Sequence, residues 1–194
     1  MRRAWTIGRT MGLGLWLLAA GCAGRRGVDV TYHDPNMDFS LIRTVAVLPF
    51  DNLTANNHAD EAVRDVFMTM LQATGSLYVL PPGEVGRGVS RASLRAPTQP
   101  SAEEVVQLAR ILDADVVILG TVREYGELRS GASAAGVVSL SVKMLEAESG
   151  RVVWSASSSA GGVSASDRVF GGGGRPMDDV TRSAVDKLLD RLFR

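Results

Sequence analysis

One cysteine and two histidines among 194 residues leave this chain without an internal disulfide and without the four side-chain ligands of a structural zinc site. Aromatic residues are also scarce, at 6% of the total, so a core has to be assembled from the Val, Leu, Ile and Ala within the 45% of residues that are hydrophobic. The 21 Lys plus Arg balance the 21 Asp plus Glu, which offers no basic field for nucleic acid or for an anionic bilayer. Length and composition suit one compact domain held by its apolar core alone.

The charge is unevenly placed. No acid precedes Asp29, whereas Arg2, Arg3 and Arg9 lead into an apolar run from Met11 to Ala20. A positive n-region followed by an apolar stretch of about ten residues is the pattern of a secretory signal. As a helix that stretch would rise only about 15 Å, half of a bilayer's hydrocarbon core, which is too short for a permanent span. The run closes in Leu18-Ala19-Ala20-Gly21-Cys22, which resembles the lipobox of bacterial lipoproteins. That resemblance implies cleavage before Cys22 and attachment of diacylglyceryl and N-acyl lipid to it, with residues 1–21 as the signal peptide. The alternative is an ordinary signal peptide cut at small residues, with Cys22 incidental. Ala19 stands where a lipobox more usually has Leu. Several acyl chains anchor a protein stably, where one binds only marginally. Removal of Arg2, Arg3 and Arg9 leaves 18 basic against 21 acidic residues, a formal charge of −3. Ala23, in place of an Asp that favours inner-membrane retention, points to the outer membrane with the domain facing the periplasm.

Residues 22–40 have no sustained apolar period and read as a lipidated tether, so the domain is expected over 41–194. Thr44 to Leu48 is a short buried strand ended by Pro49, and Phe50 to Thr54 is expected to be a loop. Val63, Val66, Phe67, Met70 and Leu71 place a helix over Ala59 to Thr74, with Gly75 at its C-terminal cap. Leu77 to Leu80 is a second strand. A weak helix follows around Val85 and Val89, where Gly86 and Gly88 each cost about 1 kcal/mol relative to Ala. Ser101-Ala102-Glu103-Glu104 is a capping-box pattern opening a helix through Leu112. Asp115 to Val122 is the strongest strand signal. Val137 to Leu145 alternates apolar and polar residues, and Arg151 to Ser157 returns as its hairpin partner. Residues 158–175, rich in Ser and Gly, read as a flexible loop, and Met177 to Leu192 as a C-terminal helix. The expected fold is α/β: a mixed sheet from a β-α-β-α-β half followed by an antiparallel hairpin, with the last helix packed on the sheet.

Nothing in the chain spells a catalytic constellation. Gly83, Gly86 and Gly88 do not form the dinucleotide fingerprint, and no phosphate-binding loop with Lys-Ser or Lys-Thr occurs. A serine nucleophile would need His33 or His58, one in the expected tether and the other at a helix start. Glu103/Glu104 and Asp178/Asp179 fall in first turns of helices, where they complement the helix dipole. The expectation is a protein without enzymatic activity, cofactor or metal, apart from the lipid on Cys22.

Val45-Ala46-Val47-Leu48-Pro49-Phe50-Asp51-Asn52, Tyr78-Val79-Leu80-Pro81, Leu112-Asp113-Ala114-Asp115 running into Val117-Ile118-Leu119-Gly120-Thr121-Val122, and Glu148-Ser149-Gly150-Arg151-Val152-Val153-Trp154-Ser155 together resemble the family of the curli-secretion lipoprotein CsgG. Its domain type is similar to the N-terminal domain of TolB and occurs in LpoB, an outer-membrane activator of a peptidoglycan synthase. The resemblance implies an interaction or assembly module of an envelope or secretion machine, or a curli-type export channel, or an LpoB-like activator. A barrel-forming hairpin needs about 9–11 residues per strand, and the stretch between Tyr125 and Val137 is too short for one, so no pore is expected. Partners would be the outer membrane through the lipid, a periplasmic or outer-membrane protein, or further copies of the chain, with Asp51, Asn52, Asn56 and Asn57 as a candidate interaction loop and no role for nucleic acid.

Overall fold

The computed structural model describes residues 30–130, 133–162 and 175–194. The signal peptide, Cys22, Ala23 and most of the Gly/Ser-rich loop lie outside the described residues. The strands are β1 (Thr31–His33), β2 (Thr44–Val47), β3 (Asp51–Asn52), β4 (Tyr78–Val79), β5 (Val116–Ser130), β6 (Ser133–Glu146) and β7 (Val152–Gly161). The helices are α1 (Ala59–Ala73), α2 (Pro82–Arg91), α3 (Ala102–Leu112) and α4 (Met177–Leu192). They form a seven-stranded mixed sheet in the order β1-β7-β6-β5-β2-β4, with β3 beside β5. β2 runs parallel to β4 and β5, while β5, β6, β7 and β1 form an antiparallel series.

Two helix layers follow from the alternation of side chains along each strand. On one face Val45, Val47, Ile118, Leu140, Met144 and Trp154 pack with Phe67 and Leu71 of α1 and with Val185 and Leu188 of α4. On the other, Ala46, Leu48, Val117 and Leu145 pack with Val85 of α2 and Leu108 and Leu112 of α3. Each large aliphatic side chain fully buried this way contributes roughly 1.5–3 kcal/mol. Local chemistry sets the helix ends: Gly75 has φ +65° just beyond α1, and Ser101 and Glu104 cap α3 reciprocally. α2 forms in spite of its glycines because Gly88 lets it approach α3 closely; a Cβ there would come within 2.5 Å of Leu112.

Four expectations change. The stretch expected to be a tether enters the sheet at Thr31: β1 pairs with β7, and a 3₁₀ turn forms at Phe39–Leu41. A three-residue edge strand has no periodicity to betray it. It is held by Asp34, which is buried, accepts from the backbone and side-chain amides of Asn36 and pairs with Arg151 at 2.9 Å. Asp51–Asn52, expected as loop, pairs in parallel with Thr121 and Val122. β5 and β6 run on to Ser130 and from Ser133, so the stretch between Tyr125 and Val137 extends the hairpin. β7 continues through Gly161 into the stretch expected to be flexible. Small Ser158 is buried on the helix-covered face, and Lys187 and Arg191 of α4 donate to the carbonyls of Ser159 and Ser157.

Candidate functional site

On their face of the sheet α2 and α3 cover β4, β2, β5 and the end of the β6–β7 hairpin at Leu145 and Val152, and the remainder is uncovered. Over the rest of β6 and β7 and over β1 that face lies open, because the residues turned toward it are small and hydroxylated. Ser139, Ser141 and Lys143 of β6 stand beside Ser159, Ser157 and Ser155 of β7, in register. A helix gains little by covering serines, so no apolar drive closes this half.

The open face holds a groove of about 610 Å³. Its floor includes Leu119, Thr121, Ser141 and Lys143; Val30, Ser155 and Ser157 form one margin, and Asp51, Leu53 and the Thr98–Pro100 loop form the other. The Arg123 Nε donates to Ser141 Oγ at 2.9 Å, and Ser159 Oγ donates to Ser139 Oγ at 3.1 Å. Lys143 is exposed and has no ion-pair partner among the described residues. Seven large apolar side chains among the described residues are exposed; two of them, Val30 and Leu53, line this groove, and Tyr32, opposite Ser155, and Leu128 lie farther along the same face. Apolar surface is thus left exposed beside a polar floor that carries Lys143 and Arg123.

The four candidate loop residues divide. Asp51 stands at the groove margin, where Gln99 Nε2 donates to its Oδ2 at 3.0 Å and ties the Thr98–Pro100 loop to β3. Asn52 turns inward: its side-chain amide donates to Asn56 O and Asp60 Oδ1, and its Oδ1 accepts from the backbone and hydroxyl of Thr54. Asn56 Oδ1 accepts from the His58 N–H. Asn52 and Asn56 thus build the turn into α1, while Asn57 is exposed away from the groove lining. The groove-lining serines and Lys143 were not singled out in the sequence, where their alternation signalled only a half-solvated strand.

A second groove of about 760 Å³ lies at the opposite ends of the strands, lined by Asp38, Asp113, Asp115, Glu146 and Glu148 with Arg110 and Leu41. Asp115 is structural there, since its Oδ2 accepts from Arg43 N and Thr44 N at 2.7 and 2.8 Å. The Asp38 carboxyl lies below its ordinary range because the hydroxyl and N–H of Ser40 donate to it. His33 meets Phe39 and Trp154 edge-on, and His58 is exposed near Glu61. Among the described residues no cluster of His, Cys, Asp and Glu could hold a metal ion, and no helix is long and apolar enough to cross a membrane.

A family model for GNA1162-like lipoproteins matches residues 36–191, and the chain belongs to that family. No curated protein sequence matches the chain. Among solved structures, the PelC dodecamer from Paraburkholderia phytofirmans is 19% identical, with a TM-score of 0.57 over 84% of this chain and 95% of that one. Lipoprotein GNA1162 from Neisseria meningitidis is 17% identical, with a TM-score of 0.57 over 78% and 98%. The LpoB C-terminal domain from Escherichia coli is 13% identical, with a TM-score of 0.46 over 60% and 81%. At these identities the PelC and GNA1162 matches show a common fold.

Proposed function

We propose that this protein is an outer-membrane lipoprotein, anchored through acylated Cys22 on the periplasmic side, that works as a non-catalytic contact module of an envelope machine and is not itself a pore. The observation that carries this is the open half of the sheet, where Val30, Tyr32 and Leu53 remain exposed around a floor of hydroxyls and Lys143. A protein partner laid on this face would bury these side chains. The lipobox-like residues ending at Cys22 and membership of a lipoprotein family support the anchor. The dodecameric state of PelC supports further copies of the chain as one partner.

The test is photocrosslinking in intact envelopes from a reactive residue at Leu53, with Tyr78, exposed on the far edge strand, as the control. A discrete adduct from Leu53 and none from Tyr78 is expected. Equal labelling at both positions would remove the contact face. Palmitate labelling that persists in Cys22→Ala would remove the anchor. A captured peptidoglycan synthase would turn the reading toward an LpoB-like activator, and ion conductance by the purified protein would turn it toward a channel.

A further inference from the structure

The open face is poorly suited to meet its own image. In a two-fold contact the Lys143 and Arg123 cations of both copies would be brought onto one face against only Asp51, whose Oδ2 already accepts from Gln99, and like charges set against each other cost affinity. A second copy that docks there has to present a different, acidic surface. One exists on this chain. At the far end of the strands Asp38, Asp113, Glu146 and Glu148 face a single Arg110. At the lip of that end stands Leu41, which at 69% is the most exposed of the large apolar side chains described. It projects from the Phe39–Leu41 turn, which is preformed: Asp38 Oδ1 accepts from Ser40 N at 3.0 Å and from Ser40 Oγ at 2.6 Å, which leaves Oδ2 for a partner.

We infer that the open sheet face receives the Asp38–Leu41 turn of a second copy, head to tail, with Leu41 seated beside Leu53 and Asp38 set against Lys143. This rests on the contact-module reading above and names its partner. The knob is apolar and acid-flanked, and the groove has exposed Leu53 at its margin and a net cationic lining, so their charges are complementary. A contact between two different patches repeats from copy to copy and either closes into a ring or grows as a filament. The tether favours closure. About eight residues separate Cys22 from Val30, a reach of at most roughly 29 Å at about 3.6 Å per residue. In a ring lying on the bilayer every β1 stands at the same height, so all anchors reach the membrane, which a rising filament does not allow.

The experiment uses the full acylated protein in its own membranes and in detergent, and reads the distribution of oligomers by crosslinking and native mass spectrometry. Lys143→Glu is expected to weaken self-association about tenfold, the loss of one close charge pair across an interface, and Asp38→Lys by at least as much because it also removes the Ser40 hydrogen bonds, with the two together recovering the charge-pair part of the loss. Both positions are exposed, and an unchanged melting temperature excludes misfolding. In a second arm, membranes carrying Leu41→Cys in one copy and Leu53→Cys in another should form a disulfide between the two, while Leu41→Cys alone should form none. Oligomers that persist unchanged in both single charge variants would overturn the head-to-tail contact and leave the contact module standing. So would a wild-type monomer whose Leu53 adduct is a different protein. No adduct from Leu53 of any kind would remove both.

Discussion

Gly120→Ala tests how β3 is held at the groove. Gly120 lies in β5 with ordinary extended backbone, so its lack of a side chain serves space alone. A Cβ there would meet three ring atoms of Phe50, the nearest at 2.5 Å. The ring has nowhere to go: Phe50 is 2% exposed and has Phe67 on its other side, with centroids 5.7 Å apart. Alanine in a strand otherwise gains roughly 0.5–1 kcal/mol over glycine. Overpacking of a closed core costs about 1–3 kcal/mol, which leaves a net loss of up to about 2.5 kcal/mol, and the expected fall in melting temperature is up to roughly 10 °C for a domain of this size. The assay is urea unfolding of residues 23–194 in a double-mutant cycle with Phe50→Ala. Phe50→Ala alone should cost about 3–5 kcal/mol. In that background Gly120→Ala should become neutral or stabilising, with a coupling of about 1 kcal/mol or more. Equal costs in both backgrounds, or a Gly120→Ala protein more stable than the parent, would show that the ring does not rest on this glycine.

Other changes address the termini of elements. Ser101→Ala removes one side of the capping box and should cost about 1 kcal/mol, seen as a lower urea midpoint and faster amide exchange in the first turn of α3; an unchanged midpoint contradicts the cap. Arg151→Ala strips Asp34, only 6% exposed, of its cation and leaves Asn36 as its side-chain partner; a loss of roughly 1–3 kcal/mol is expected, concentrated in the amide protection of β1, and undiminished protection there would refute the clamp. The Asp38 and Glu103 carboxyls are both held below their ordinary range, Asp38 by the hydroxyl and N–H of Ser40, Glu103 by its own backbone N–H and the Ser101 hydroxyl. Because the folded-state values are the lower ones, their stabilisation is complete above the ordinary carboxylate range and is lost as pH falls through the folded-state values. NMR titration should place both midpoints below those of free Asp and Glu, and Ser40→Ala should raise that of Asp38; a midpoint at the free value counts against these hydrogen bonds.

Helices with a clear 3.6-residue period and a local cap were legible from the residues alone, as Val63, Phe67 and Leu71 of α1 and the Ser101–Glu104 box of α3 illustrate. Strands long enough to alternate were legible too, although their ends were not. β5 outruns its apolar stretch because pairing with β6 is a matter of backbone register, to which Glu127 and Arg129 are no obstacle. β1 and β3 were invisible for the same reason: three and two residues carry no period, and both exist only because a long neighbouring strand offers free N–H and C=O groups. At the candidate loop the residue type was informative and the role was not. Asn52 and Asn56 suit a turn or a contact equally well, and the side-chain bonds to Thr54, Asp60 and His58 assign them to the turn.

The lipobox-like end at Cys22, the β-α-β-α-β order, the antiparallel return and the amphipathic last helix are properties of residues near one another in the chain, where hydrophobic period, capping and turn chemistry act, and the sequence by itself determined them. Tertiary structure alone decided which faces are covered. The serines of β6 and β7 become a floor only when the two strands lie in register, and Val30 and Leu53 become its two margins only because β1 and β3 close on opposite sides of that floor. Residues 30 and 53 share no local interaction, so their meeting, and with it the contact surface, depends on the long-range strand pairing.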